Sequence, residues 1–118
     1  MSILTVYGIP NCDTCRKARK WLTDNRHEHR FHDLRADGLD LQMLDRWAVL
    51  LDWQTLLNTR SVTWRKIPEI DRADITRSRA FALMLTQPTL VKRPLLERGT
   101  LIAVGYSAAN YEALLAAR

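Results

Sequence analysis

The stretch YGIPNCDTCRKARKWL, residues Tyr7 to Leu22, sets both cysteines of the chain, Cys12 and Cys15, at a change of pattern. An apolar, β-branched run, Ile3 to Tyr7, leads into it and predicts a buried strand. Gly8, Pro10 and Asn11 break that strand. From about Cys12 to Asn25 the spacing turns helical. Cys15, Ala18 and Leu22 recur at i, i+3 and i+7 on one face, while Arg16, Lys17, Arg19 and Lys20 fall mostly elsewhere. Cys12 therefore opens a helix, and Cys15 follows on nearly the same side. Glu28 to Leu34 alternates weakly and reads as a second strand. Strand, helix and strand in such short order is the grammar of a βαβ unit.

Asp37 and Gly38 end that unit, and a helical middle follows. Leu41, Leu44, Ala48 and Leu51 form one stripe, and WQTLLN (53–58) adds a short helical piece. NTRSVTWRKI (58–67) reads as a loop or frayed turn. Arg77 to Thr86 predicts a helix with Phe81, Met84 and Leu85 on one face. Beyond Pro88, Thr89 to Val91 reads as a strand. Leu95 to Glu97 and Leu101 to Val104 read as the arms of a hairpin around Arg98-Gly99-Thr100. Ser107 is expected to cap a last helix, with Ala108, Tyr111 and Leu115 inward. The order is βαβ, helical insert, ββα. It predicts an α/β fold of the thioredoxin-like kind, a mixed four-stranded sheet with helices on both faces. Residues 1–118 are expected to form a single domain with a helical insertion at about 39–87.

The bulk numbers narrow the function classes. A chain of 118 residues can bury a real core without disulfide staples. The net charge is +5, carried by fourteen Arg and only four Lys. Anionic partners suit such a balance, although no Lys/Arg block runs beyond a few residues, as befits solvated side chains. No helix-turn-helix pattern is present, and Trp21, Trp47, Trp53 and Trp64 are not interleaved with a basic stripe, so direct nucleic-acid binding is not expected. Trp21 and Trp47 are expected in the core or at its rim. The apolar start is too short for a signal peptide, and no run is long enough to span a membrane. A cytoplasmic location is expected. There, a C-x-x-C pair is catalytic or metal-binding rather than a structural bridge.

A thiolate attacks where a thiol does not, and a free cysteine has a pKa of about 8.5 that falls at helix N-termini and beside cations. Cys12 meets the unpartnered N–H groups and the positive end of the first helix. Arg16, one turn on, adds to this if its side chain bends back. Cys15 is within reach of whatever the Cys12 sulfur has bound, which gives the pair the geometry of an attacking and a resolving thiol. A buried, purely structural role for Cys15 stays open, since cysteine is also a small hydrophobe. Zinc is the other use of such spacing: Cys12, Cys15, His27 and His32 approach a finger pattern. Placement excludes it, because here the helix begins at the cysteines and the histidines come after it. His27, His29 and His32 are expected at the surface, and no metal is expected.

The segments YGIPNCDTCRKARKWL, LLNTR, TWRK and LVKRPLL, in that order, resemble the arsenate reductase (ArsC) family, above all its YffB-like branch. The first segment also resembles Spx, a redox-sensing regulator of the same superfamily. The resemblance runs from Ile3 to Leu115. It implies that Cys12 is the nucleophile and that Arg60 and Arg93 reach the same pocket. Many reductases of the family lack a second cysteine three residues on, so Cys15 is an addition to the pattern, and it favours an internal disulfide step as in the Spx-like branch. The resemblance also implies that Asn11, Thr14, Arg16, Arg93 and Pro94 contact the substrate, with Pro94 in cis. Two guanidiniums beside a sulfur would lower its pKa and offer forked donors to an oxyanion or a carboxylate.

The family's third arginine, expected shortly before the last helix, has no counterpart in VGYSAAN (104–110). An arsenate anion would therefore lose part of its clamp. The expectation is a thiol reductase with glutathione as co-substrate and no bound cofactor. Its substrate would be a disulfide or a small oxyanion, and a glutaredoxin-type protein would serve as reductant. The alternative is an Spx-like regulator docking on RNA polymerase. Such regulators extend further at the C-terminus than Arg118, which weighs toward the enzyme.

Overall fold

A computed structural model describes residues 3–116. In chain order the elements are strand β1 (Thr5–Gly8), helix α1 (Asp13–Asp24), strand β2 (Arg30–Asp33) and helices α2 (Leu41–Leu50), α3 (Trp53–Leu56), α4 (Val62–Arg65), α5 (Glu69–Arg72) and α6 (Arg77–Thr86). A 3₁₀ turn (Pro88–Leu90), strands β3 (Leu95–Arg98) and β4 (Leu101–Val104), and helix α7 (Ala108–Leu115) complete the chain. These fall into two compact units, residues 3–37 with 93–116, and residues 38–92.

The first unit is built on a mixed sheet of order β2-β1-β3-β4. β1 runs parallel to β2 through the α1 crossover and antiparallel to β3, and β3 turns back into β4. This is the expected thioredoxin-like sheet. Strand β1 is central, so its residues from Val6 to Gly8 are all buried. Val6 stands opposite Phe31 on one side and Leu96 on the other. The period-2 alternation sends Val6 and Leu96 to the same face. There they meet Ala18 and Leu22 of α1 and Tyr111 and Leu115 of α7 in one cluster. The other face carries Tyr7, whose hydroxyl donates to the buried Glu97 Oε1 at 2.9 Å. A buried carboxylate needs such a partner.

The helix ends follow local chemistry. Ser107 caps α7 as expected, its Oγ accepting from the Asn110 N–H at 3.1 Å. Helix α1 stops in a Schellman motif: the His27 N–H reaches the Leu22 carbonyl at 2.8 Å, and the Arg26 N–H reaches Thr23 at 3.1 Å. The residue that takes the left-handed conformation is Arg26, at φ 62°. Glycine usually occupies that position.

The second unit is a run of short, individually capped helices. Asp40, Asp52, Ser61 and Thr76 each accept a backbone N–H at the start of α2, α3, α4 and α6. Arg77 of α6 pairs with Asp45 of α2 at 2.7 Å. Sequence expectations are corrected in this region. Thr89–Val91 is not a strand of the sheet: it is a 3₁₀ turn followed by one isolated bridge, Leu57 to Val91. The Asn58 N–H donates to Leu90 and the Lys92 N–H to Leu56, inside the compact unit that runs from 38 to 92. The segment read as a frayed turn contains α4, nucleated by the Ser61 cap, and Trp64 within it is buried. Leu41 of the expected stripe is half exposed, while Leu44 and Trp47 carry the burial. In α7, Ala108 faces solvent, and Tyr111 and Leu115 face inward.

A left-handed non-glycine residue costs about 1–2 kcal/mol, part of which glycine gives back through its freer unfolded chain. Arg26→Gly is therefore expected to raise stability by up to about 1 kcal/mol. Urea denaturation at neutral pH checks this; an unchanged or lower midpoint counts against the strain at Arg26.

Candidate active site

Cys12 is the N-cap of α1, with extended backbone angles (φ −101°, ψ 121°). Its carbonyl accepts the first helical hydrogen bond from the Arg16 N–H at 3.0 Å. Its sulfur is half-buried. Burial alone would raise its pKa, but the net direction is down. The backbone N–H and the thiol of Cys15 favour the anion, and the Arg93 guanidinium adds a hydrogen bond and its positive charge.

Cys15 is the opposite case. It is fully buried on the inner face of α1. Burial pushes its thiol up to about 11, against the Ile9 N–H, which favours the anion, and with the charge on Cys12 adding to the rise. Of the two sulfurs Cys12 therefore loses its proton first, and the Cys15 thiol, which keeps its own, donates toward the Cys12 anion.

Arg93 reaches this site from the other end of the unit's sequence. It lies two residues before β3, joined to Pro94 by a cis peptide bond. Pro94 is buried, and its carbonyl accepts the Gly105 N–H at 2.8 Å. Arg93 is thereby fixed to the sheet next to the strand that delivers Cys12.

The remaining sequence candidates are placed as follows. Asn11 and Thr14 flank Cys12 and are exposed. The Arg16 guanidinium is turned away to an ion pair with Asp13 and to the Pro10 carbonyl at 3.3 Å. Arg93, not Arg16, is the cation that acts on Cys12. Arg60 belongs to the helical unit, where it is exposed and its N–H donates to Asn58 Oδ1 at 3.1 Å. His27 stacks on Trp21 at 5.5 Å, His29 Nδ1 lies 2.9 Å from the His27 carbonyl, and His32 packs 4.9 Å from the Tyr7 ring. Among the described residues no three His, Cys, Asp or Glu side chains converge as metal ligands would. No helix among them is long and apolar enough to cross a membrane.

Two participants escaped the sequence reading. The Ile9 N–H acts on the Cys15 sulfur, a backbone effect that no side-chain pattern announces. Tyr111 had been legible only as core. Its hydroxyl is buried without a hydrogen-bond partner among the described residues, and its acidity is suppressed by burial first and then by Cys15 and Tyr106.

The ArsC family profile matches residues 7–114. The chain belongs to the ArsC family. In structure it is similar to the protein YFFB, at 43% identity and a TM-score of 0.90, over 95% of this chain and 98% of that one. It is also similar to an arsenate reductase (ArsC) related protein from Brucella melitensis, at 47% identity and a TM-score of 0.78, over 94% and 92% of the two chains. The global transcriptional regulator Spx of Lactiplantibacillus plantarum is 25% identical over 107 residues, 89% of this chain and 80% of the regulator.

The opposed shifts give opposite pH signatures. Cys12 is more acidic in the fold than in an open chain, so its contribution to stability is complete above its ordinary pKa and is lost as pH falls through the folded value. Cys15 is less acidic in the fold, so its contribution is complete below about 8.5 and is lost as pH rises through about 11. Cys15→Ala is expected to flatten the alkaline decline in stability across that window, measured as the difference in urea midpoint from the parent chain. Arg93→Ala is expected to shift the pH midpoint of Cys12 alkylation upward. A midpoint unmoved by Arg93→Ala would remove that arginine from the site.

Proposed function

We propose that this ArsC-family chain is a glutathione-dependent thiol reductase with Cys12 as its nucleophile. The observation that carries the reading is a half-exposed cysteine at a helix mouth, made more acidic despite its burial by Cys15 and Arg93. In the first step the Cys12 thiolate attacks the glutathione sulfur of a mixed disulfide. A Cys12–glutathione disulfide forms and the substrate leaves as a thiolate, which takes a proton from solvent. In the second step the thiolate of another glutathione attacks that glutathione sulfur. Glutathione disulfide leaves, and Cys12 returns as the thiolate stabilised by Arg93. Overall, one mixed disulfide and one glutathione thiol become the substrate thiol and glutathione disulfide, so one glutathione is oxidised for each mixed disulfide reduced. Arg93 holds both the attacking and the departing Cys12 sulfur, and its forked donors suit a peptide carboxylate. Asn11, Thr14 and Pro94 are assigned to the substrate side, and Arg60 to recognition of the anionic part.

Cys15 offers a second route. Once deprotonated it attacks Cys12, releases glutathione and leaves an internal disulfide, which a glutaredoxin-type protein or two further glutathiones reduce. Its hold on its proton slows this route, because only the thiolate is the nucleophile. Arsenate is the less suitable substrate, since VGYSAAN (104–110) lacks the family's third arginine. The likeness to Spx supports a second reading, in which the Cys12–Cys15 disulfide changes a docking surface for a polymerase. A partner retained from cell extract only in one redox state, with no turnover in either, would favour that regulator.

The assay uses the mixed disulfide of glutathione and 2-mercaptoethanol, with formation of glutathione disulfide followed through NADPH and glutathione reductase. Cys12→Ser is expected to abolish turnover and Cys15→Ser to retain it, with Arg60→Ala raising KM more than it lowers kcat. Arsenate supplied instead of the disulfide is expected to give little or no NADPH oxidation. Undiminished turnover in Cys12→Ser would exclude the assigned nucleophile.

A further inference from the structure

Where β1 ends against the first turn of α1, the strand and the inner cysteine come unusually close. A Cβ built on Gly8 would lie 2.4 Å from the Cys15 sulfur and 3.4 Å from the Cys15 Cβ. The first separation is far inside van der Waals contact. The second is tight but tolerable, as is the 3.6 Å to the Phe31 ring. The conflict is therefore confined to one atom, the sulfur. Gly8 is not among the residues with positive φ, so its backbone does not demand glycine. What the position demands is empty space. The Gly8 carbonyl still accepts the Leu34 N–H at 2.8 Å, and the residue pairs with Asp33 in the parallel ladder, so the strand is regular up to this point.

We propose that Gly8 is a positioning residue for the reactive cysteine: its missing side chain leaves the niche that seats the Cys15 sulfur, and that seat keeps the Cys15 thiol aimed at Cys12. A methyl group there would drive the sulfur out by rotation about χ1, because the Cys15 Cβ itself has room to stay. The Cys12 anion would then lose its sulfur-borne donor while keeping Arg93. The other charges beside it, Asp13 and Arg16, are paired with each other and do not replace that donor. The inference deepens the reductase reading, yet its readout is the acidity of Cys12 and needs no substrate, so the two can fail separately.

The test is a double-mutant cycle read by iodoacetamide. The rate of Cys12 carbamidomethylation, located by mass spectrometry, is followed against pH in the parent, Gly8→Ala, Cys15→Ala and the combined variant. Gly8→Ala is expected to raise the pH midpoint in the direction of an ordinary thiol, near 8.5. The combined variant is expected to match Cys15→Ala, because Gly8 acts only through that sulfur. An unmoved midpoint in Gly8→Ala, or a combined shift equal to the sum of the single ones, overturns the proposal. Where Gly8→Ala alone does not fold, the combined variant decides. A folded protein with the Cys15→Ala midpoint upholds the clash with the sulfur, and failure to fold shows a need for Gly8 apart from Cys15 and overturns it.

Discussion

The stabilisation of an anion at one sulfur is the interaction on which distant parts of the sheet unit converge. Cys12 is partly out of water, which by itself disfavours the thiolate. The fold answers with donors of three kinds: a backbone N–H in the first helical turn, a neighbouring thiol that will not give up its proton, and a guanidinium. The first comes with any helix N-terminus. The second requires Cys15 to be buried, which is why it must lie on the apolar stripe with Ala18 and Leu22. The third requires that a residue 81 positions further on be brought back beside β1. The antiparallel pairing of β3 with β1 accomplishes this, with Arg93 just before the strand begins.

The same core that stabilises the sheet unit also fixes this chemistry. Val6 and Leu96 hold β1 to β3, and Ala18 and Leu22 hold α1 across them. A shift of α1 by even part of a turn would move both sulfurs relative to Arg93. Tyr111 closes the cluster from α7, with its hydroxyl sealed in the interior. That arrangement makes the apolar surroundings of Cys15 a product of both terminal segments of the unit.

Much of this could be read from sequence because local signals agreed with the tertiary outcome. The C-x-x-C at a strand-to-helix boundary, the i, i+3, i+7 stripe and the Ser107 cap all state their structure locally, and helix Arg77–Thr86 appears with the bounds its periodicity indicated. The failures came where tertiary pairing overrode a local pattern. Thr89-Leu90-Val91 is β-branched and apolar, yet it bridges to Leu57 instead of joining the sheet. Arg16 lies one turn from Cys12, but Asp13, equally close to it, captures its charge. Arg93 was legible only through family likeness, since nothing in its own neighbourhood shows that β3 will return to β1. Tyr7 and Glu97 were invisible as a pair for the same reason: 90 residues separate them in sequence.

The long separation between Cys12 and Arg93 has a consequence for the chain as it is made. The guanidinium that favours the anion lies on a part of the chain synthesised long after both cysteines. Until residue 93 has emerged and β3 has paired with β1, the outer sulfur lacks that positive charge and stays closer to an ordinary thiol.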